Sequence, residues 1–408
     1  MDQEMSLLFV GTVSASPTIS RNTSCVALRF DDGHLWLFDC GEGTQRELLK
    51  YPHINPSLVD VIFITHLHGD HVYGLFGLLC SLSFKRKNQP IDLIGPKGLK
   101  ELLDCVLPLT DMTISYPINI HELPEDDVST LTDISNPNQS FHQLGRNDVS
   151  VMAFPLSHQI RSFAFHVELR HRSSQVNIQR AHSYGIGFGH FFDALSCGQS
   201  VRLPNGVVVL PQDVCDLVTH RLLICGDCGD GYGRGKVHDR TQLESDIQPP
   251  LSSLTISPLS AAVPSFVPKS QLNKPKQLPP IPANYPLLSA SPVPNTESPP
   301  QQTEEYGVGD ANDWPRLVST LEKVDTLVHE TTFANELSHL AERWGHSTSK
   351  MAGERAVQLN AKTLIITHFS KRYTETPNGL QELFEQTREA AGNIKVLPAY
   401  DGFMFPLD

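Results

Sequence analysis

The sequence predicts an α/β fold of four layers, with two β-rich halves side by side and helices on the outside. Three observations predict it. From residue 7 to about 230, short apolar runs alternate with Gly, Pro and Asp punctuation. The same strand-then-helix pattern resumes near Trp314. Between the two lies a stretch of different composition, in which residues 249 to 300 hold 14 of the chain's 30 prolines.

In order along the chain, "LLFVG", "CVALRF", "LWLFDCG", "VDVIFI", "IDLIG" and "VSVMAF" read as strands, being short, Val/Ile/Leu-rich and bounded by turn residues. "GTQRELLKY" and "GPKGLKELLDCVL" read as helices, the second opened by its Gly-Pro. The later block supplies a helix in "WPRLVSTLEKV", a strand in "TLVHE" and a helix over "STSKMAGERAVQLN". The strand "TLIITH" and a last strand around "FMF" complete it. Residues 235–308, rich in Pro, Ser and Gln, have too few periodic apolar positions to offset their ordering entropy. They are expected to be a disordered insertion between halves 1–234 and 309–408.

Composition excludes several classes. At 408 residues and 39% hydrophobic content the chain can bury a substantial core, yet no run of 18 apolar residues offers a membrane span. The start "MDQEMSLLFVG" carries acids where a signal peptide needs bases. Eight cysteines without framework spacing predict a reducing, intracellular compartment, with cytoplasm, nucleus and organelles all open as locations. A net charge of −13 argues against a generic nucleic-acid coat protein. It leaves room for a local basic surface, because fields are screened within about 8 Å.

The chemistry concentrates in "THLHGDH", residues 65–71. In extended chain His66 and His68 point to one side and can share a metal, while Asp70 and His71 can address a second. Further ligands are expected at strand ends: His158 in "AFPLSHQ", Asp227 in "LLICGDCGD" and His368 in "TLIITHFS". Each alone is more readily a satisfied loop residue than a ligand. Together they are the imidazoles and carboxylates that two divalent cations require.

That order (H-x-H-x-D-H after a strand, a lone His, a Gly-Asp and a late His) resembles the metallo-β-lactamase fold, a four-layer αββα sandwich. "SASPTISRNTSC", "DCGEGTQRE", "THLHGDHVYGLFGL", "GPKGL", "VHETTF", "GHSTSKMA" and "THFSKRY" together resemble the ribonuclease Z family, in its short form. The likeness runs from residue 7 to about 405. It implies a zinc-dependent endoribonuclease that removes 3′ trailers from precursor tRNA by hydroxide attack, leaving a tRNA 3′-OH and a trailer 5′-phosphate. It implies two Zn²⁺ per subunit, with Mn²⁺ an alternative. His66, His68 and His158 would hold one, Asp70, His71 and His368 the other, and Asp227 would bridge them. Asp70 would orient or deprotonate the attacking water, and His346, oriented by Glu330, would protonate the leaving oxygen. Asp39 and Glu42 are expected to brace neighbouring ligands and loops, and His329 to be structural. Ser347 alone would read as a helix cap.

In the family, a segment matching residues 168–218 projects as an arm that grips tRNA. Here its tip has glycine and phenylalanine instead of proline and lysine, with Asp193 among them. Positive charge comes from Arg170, Arg172 and Arg180 outside the tip, and from Lys97 in "GPKGL". A homodimer is expected, since tRNA spans farther than a loop rooted at its own active site can reach. The rival readings are a phosphodiesterase of the same fold acting on small or generic diesters, and an inactive RNA-binding relative.

Overall fold

Sixteen strands organise the residues described by the computed structural model, which are 5–84, 89–124, 129–132, 148–229, 313–321, 323–376 and 378–407. These fall within one unit, Met1–Lys236 with Tyr306–Asp408. The expected insertion at 235–308 lies outside the described residues.

In chain order the strands are β1 (Ser6–Gly11), β2 (Cys25–Arg29), β3 (Leu35–Phe38), β4 (Val59–Phe63), β5 (Ile91–Pro96), β6 (Ile118–Leu123), β7 (Ser129–Thr132) and β8 (Val149–Leu156). There follow β9 (Ser162–Val176), β10 (Val201–Arg202), β11 (Val208–Val209), β12 (Cys215–Cys225), β13 (Thr326–Glu330), β14 (Thr363–Thr367), β15 (Lys395–Pro398) and β16 (Met404–Pro406). One seven-stranded sheet runs β16-β1-β2-β3-β4-β5-β6, the other β15-β14-β13-β12-β9-β8-β7.

The apolar runs are continuous because both faces of each sheet are buried. Along β1, Leu7 and Phe9 enter the core between the sheets, and Leu8 and Val10 enter the core beneath the helices. Trp36 and Phe38 alternate with Leu35 and Leu37 in the same way, as does Val328 with Leu327 and Ile365 with Leu364. Three apolar layers therefore separate four layers of structure, as the sequence predicts. Between the sheets, Phe63 stacks on Phe38 at 4.8 Å and meets Phe165 of the opposite sheet at 4.9 Å. Such contacts add about 0.5–1.5 kcal/mol each beyond area burial.

Two local expectations need correction. Pro96 ends β5 and does not open the helix, which spans Leu99–Leu109. A left-handed Gly98, φ +95°, makes the turn from strand to helix, and Glu122 Oε1 accepts from the N–H groups of Gly98 and Lys100 at 2.8 and 2.9 Å. Nor does Ser347 cap the helix Ser349–Gln358. Thr348 does, its hydroxyl accepting from Met351 N, while Ser347 is fully buried and bonds backwards into the site.

The segment read as an arm starts from an extended strand pair. β9 pairs with β12 from Ala164↔Cys225 out to Val176↔Cys215. The ladder from β9 to β8 stops at Leu169 and that from β12 to β13 at Leu222. Beyond those rungs, among the described residues, the two strands pair only with each other. This ribbon carries residues 177–214, which have a small core of their own including Ile186, Leu195, Val209 and Val214.

Candidate metal centre

Strands β8, β12, β13 and β14 run in one direction, because β12–β13–β14 are parallel and β8 and β12 each oppose β9. Their carboxyl ends therefore share one edge. His158 lies two residues past β8, Asp227 two past β12, Glu330 closes β13, and His368 directly follows β14. In the first sheet Asp39 follows β3, and His66 lies three residues past β4. His68 precedes a single helical turn, Gly69–Val72, that carries Asp70 and His71.

The donor atoms converge. His68 Nδ1 lies 3.1 Å from His66 Nε2 and 3.2 Å from His158 Nε2. His71 Nε2 and His368 Nε2 are 3.1 Å apart, and Asp70 Oδ2 is 3.4 Å from His368 Nε2. Asp227 stands between the groups, with Oδ2 3.6 Å from His66 Nε2 and 3.4 Å from His71 Nε2 and Oδ1 3.4 Å from His368 Nδ1. Donors held about 2.0–2.1 Å from one tetrahedral zinc are spaced by about 3.3 Å. The residues suit a metal: His66, His68, His158 and Asp227 form one group of donors, Asp70, His71 and His368 another, and Asp227, His346 and His368 a third.

Groups behind the donors aim them. Asp39 Oδ2 accepts from His71 Nδ1 at 2.7 Å and from the Thr65 hydroxyl at 2.9 Å, and Thr65 Oγ1 contacts His66 Nδ1 at 3.0 Å. His158 Nδ1 donates to Gly345 O at 2.6 Å. Ala15 N donates to Asp70 Oδ2 at 2.6 Å. Such outer bonds fix ring tautomer and direction.

Burial, opposed by Asp227, pushes His158 down to about 3, and burial with repulsion from His71 holds His66 well below its ordinary value. Both imidazoles are thus neutral, the form that ligates. Burial also disfavours charge on His71, but Asp227, Asp39 and Asp70 outweigh it and raise its pKa. A site so rich in carboxylate favours a cation, proton or metal.

Beside the clusters, His346 Nδ1 donates to Glu330 Oε1 at 3.2 Å and lies 3.7 Å from Asp227 Oδ2. Burial opposes its charge, but Glu330 and Asp227 prevail and raise it to about 9. The imidazole is therefore charged near neutral pH while 17% of its side chain stays open to solvent. Glu330 Oε1 also accepts from Cys228 N and Ser347 N, at 3.1 and 2.9 Å, and its Oε2 from the Thr332 hydroxyl at 2.5 Å.

The structure thus gathers His66, His68, Asp70, His71, His158, Asp227, His368, His346 and Glu330 at one edge. Lys97 is exposed, and a Cβ on the next residue, Gly98, would lie 3.3 Å from Leu67, within the metal loop. Arg170 and Arg172 lie on β9, and Arg180 pairs with Asp216. Sequence reasoning missed Thr65 and Thr332, although a Thr directly before His66 in "THLH" and one two residues after Glu330 in "ETTF" were the available signal.

Residues 5–203 match a family model described as anti-Pycsar protein Apyc1. Ribonuclease BN of Cronobacter sakazakii is 29% identical over 91% of this chain and 90% of its own. Ribonuclease Z of Acaryochloris marina is 29% identical over 94% and 91%. Zinc phosphodiesterase ELAC protein 1 of Mus musculus is 28% identical over 98% and 97%. The chain is a homologue of ribonuclease Z. Among solved structures, the short form of human tRNase Z superposes with a TM-score of 0.54 at 24% identity, covering 99% of this chain and all of that one. The metallo-β-lactamase fold protein YhfI of Bacillus subtilis gives 0.53 at 12% identity, covering 99% of each chain. The fold of this ribonuclease Z homologue is the metallo-β-lactamase fold. No helix among its described residues is long and apolar enough to cross a membrane.

Proposed function

We propose that the chain is a metal-dependent endoribonuclease that removes 3′ trailers from precursor tRNA, leaving a 3′-OH on the tRNA and a 5′-phosphate on the trailer. The observation that carries this reading is the pair of donor clusters meeting at Asp227, with the Glu330–His346 pair 3.7 Å away. The near-full-length likeness to ribonucleases Z and BN supports tRNA as the substrate.

His66, His68 and His158 would hold one zinc and Asp70, His71 and His368 the other, with Asp227 facing both groups. Zn²⁺ is favoured by the imidazole-rich donors, and Mn²⁺ is the alternative. Two such ions would polarise the phosphodiester and acidify the attacking water. Asp70, anchored by Ala15 N, orients that water and accepts its proton. On the opposite side of the phosphate, His346 gives its proton to the departing 3′-oxygen, and Glu330 keeps it charged beforehand.

The 168–218 ribbon grips the RNA, with Arg170 and Arg172 on its strand and Lys97 nearer the site. Arg180 contributes less, since Asp216 already faces it. The active form is a homodimer in which one subunit's ribbon steadies tRNA cut by the other. No disulfide joins any of the eight cysteines, in keeping with an intracellular location.

The experiment is cleavage of a 3′-extended tRNA transcript with both product ends mapped. A single cut at the mature 3′ end, lost with chelator and restored by Zn²⁺, is expected. Hydrolysis of a small diester with an untouched transcript would replace this reading by the small-diester one.

A further inference from the structure

Behind Glu330 lies a buried cluster that the reaction does not use directly. Arg355, on the helix Ser349–Gln358, is only 4% exposed. Its Nη1, with two hydrogens to share, lies 2.9 Å from Cys228 Sγ, 3.0 Å from His329 Nε2 and 2.9 Å from Ser347 Oγ. The guanidinium lies over the Trp314 ring, 4.5 Å from its centroid. His329 Nδ1 donates to Glu330 O at 2.6 Å, which leaves its Nε2 as an acceptor. Ser347 Oγ donates to Cys228 O at 2.5 Å and so accepts from Arg355.

Two loops are tied by this cluster, Cys228–Gly229 and Gly345–Ser347. They are in close contact as well, since a Cβ on Gly229 would fall 2.8 Å from Gly345 C. Both loops send a backbone N–H to Glu330 Oε1, the same atom that faces His346. If the loops parted by a few tenths of an ångström, the carboxylate would follow one N–H and lose the other.

We propose that Arg355 is a positioning residue for the reaction: it clamps the Cys228 and Ser347 loops so that Glu330 holds His346 in the geometry of proton donation. The clamp acts through Ser347 and Cys228. Trp314 fixes the guanidinium plane from the other side, and Arg suits such a stacked, multiply bonded position better than Lys. The inference rests on the proposed endonuclease reading and extends it to residues outside the metal site.

The test is a double-mutant cycle on the full chain with a 3′-extended tRNA transcript. Wild-type cleavage is measured first. If the wild type does not cleave, the function reading fails, independently of what Arg355 does. With an active wild type, Arg355→Met should lower kcat about 10- to 100-fold, part of what general acid catalysis supplies, with KM within about 3-fold. Bound metal should be unchanged. Ser347→Ala should reproduce the loss, and Arg355→Met/Ser347→Ala should be no worse than the weaker single variant, since both cut one link. Arg355→Lys should recover part of kcat. If Arg355→Met does not fold, as judged by circular dichroism melting, Arg355→Lys takes its place in the cycle. Wild-type kcat in the Arg355 variant, loss of metal in step with activity, or multiplying effects in the double variant would each overturn the clamp.

Discussion

Side chains at the metal edge and side chains on the 177–214 excursion are held in place by different means. Around Asp227 the donors are buried or nearly so, and His66, His71, His158 and His368 each meet a further group behind the ring. On the excursion, Arg180 meets Asp216 on open surface, Phe188 is 75% exposed, and the small core makes no use of either side chain. In the first region one substitution reaches several partners. In the second it reaches few, so change is cheap and the surface can drift in charge.

The sharpest test of that contrast is Asp227→Ala. It removes the one carboxylate that faces both clusters, so bound metal should fall below two per chain and transcript cleavage by about 10⁴-fold or more. Elemental analysis alongside a timed cleavage assay checks both. Two retained ions with near-normal turnover would break the bridging assignment.

Next in size is excision of the excursion. Val176 and Cys215 pair directly, so an Asn-Gly turn can join them without disturbing either sheet. Cleavage of the transcript should fall about 100-fold as the tRNA loses the surface of residues 177–214, Arg180 included, while Arg170 and Arg172 stay on β9 and hydrolysis of bis(p-nitrophenyl) phosphate stays within about 3-fold. Mixed with His346→Ala subunits, the excised chain should regain part of its tRNA cleavage, since one supplies residues 177–214 and the other the acid. Equal losses on both substrates would erase the distinction between the regions.

The smallest effect is expected where the ribbon leaves the sheet. His166 on β9 is buried, its Nε2 has no hydrogen-bond partner among the described residues, and burial, with Glu168 opposing, pushes it down to about 4. An unfolded histidine titrates near 6.5, so the unfolded chain binds this proton first. Stability from neutral His166 is complete above about pH 6.5 and lost as pH falls towards 4, in all about 3 kcal/mol. Urea denaturation of wild type and His166→Leu at pH 7.5 and 4.5 measures it. The variant should be less sensitive to acid, and identical pH slopes would refute the account.

What could be read in advance follows the same division. "VDVIFI" and "TLIITH" announce themselves because strands buried on both faces are unbroken apolar runs, and polar ligands begin where the run must end. β9 was hidden because "ELRHRSSQV" continues the strand into a ribbon where burial no longer dictates residue type. Arg355 was hidden for a different reason. A charged residue in "SKMAGERAVQ" reads as solvated, and its partner Cys228 is 127 residues away in sequence. Pro96 misled because Gly-Pro opens helices as readily as it closes strands, and only Glu122, from the next strand, decides which.

The aromatic layer between the sheets acts as a gauge for the metal site. Phe38 and Phe63 are the last residues of β3 and β4, just ahead of Asp39 and His66, and Phe63 rests on Phe165 of the other sheet. The first sheet carries His66, His68, Asp70 and His71, while the second carries His158, Asp227 and His368. The thickness of that phenyl stack therefore sets how far apart the two sets of donors stand. Metal–ligand bonds tolerate only about ±0.2 Å, so a side chain buried in hydrocarbon, touching no ligand, bears on which cation the edge accepts.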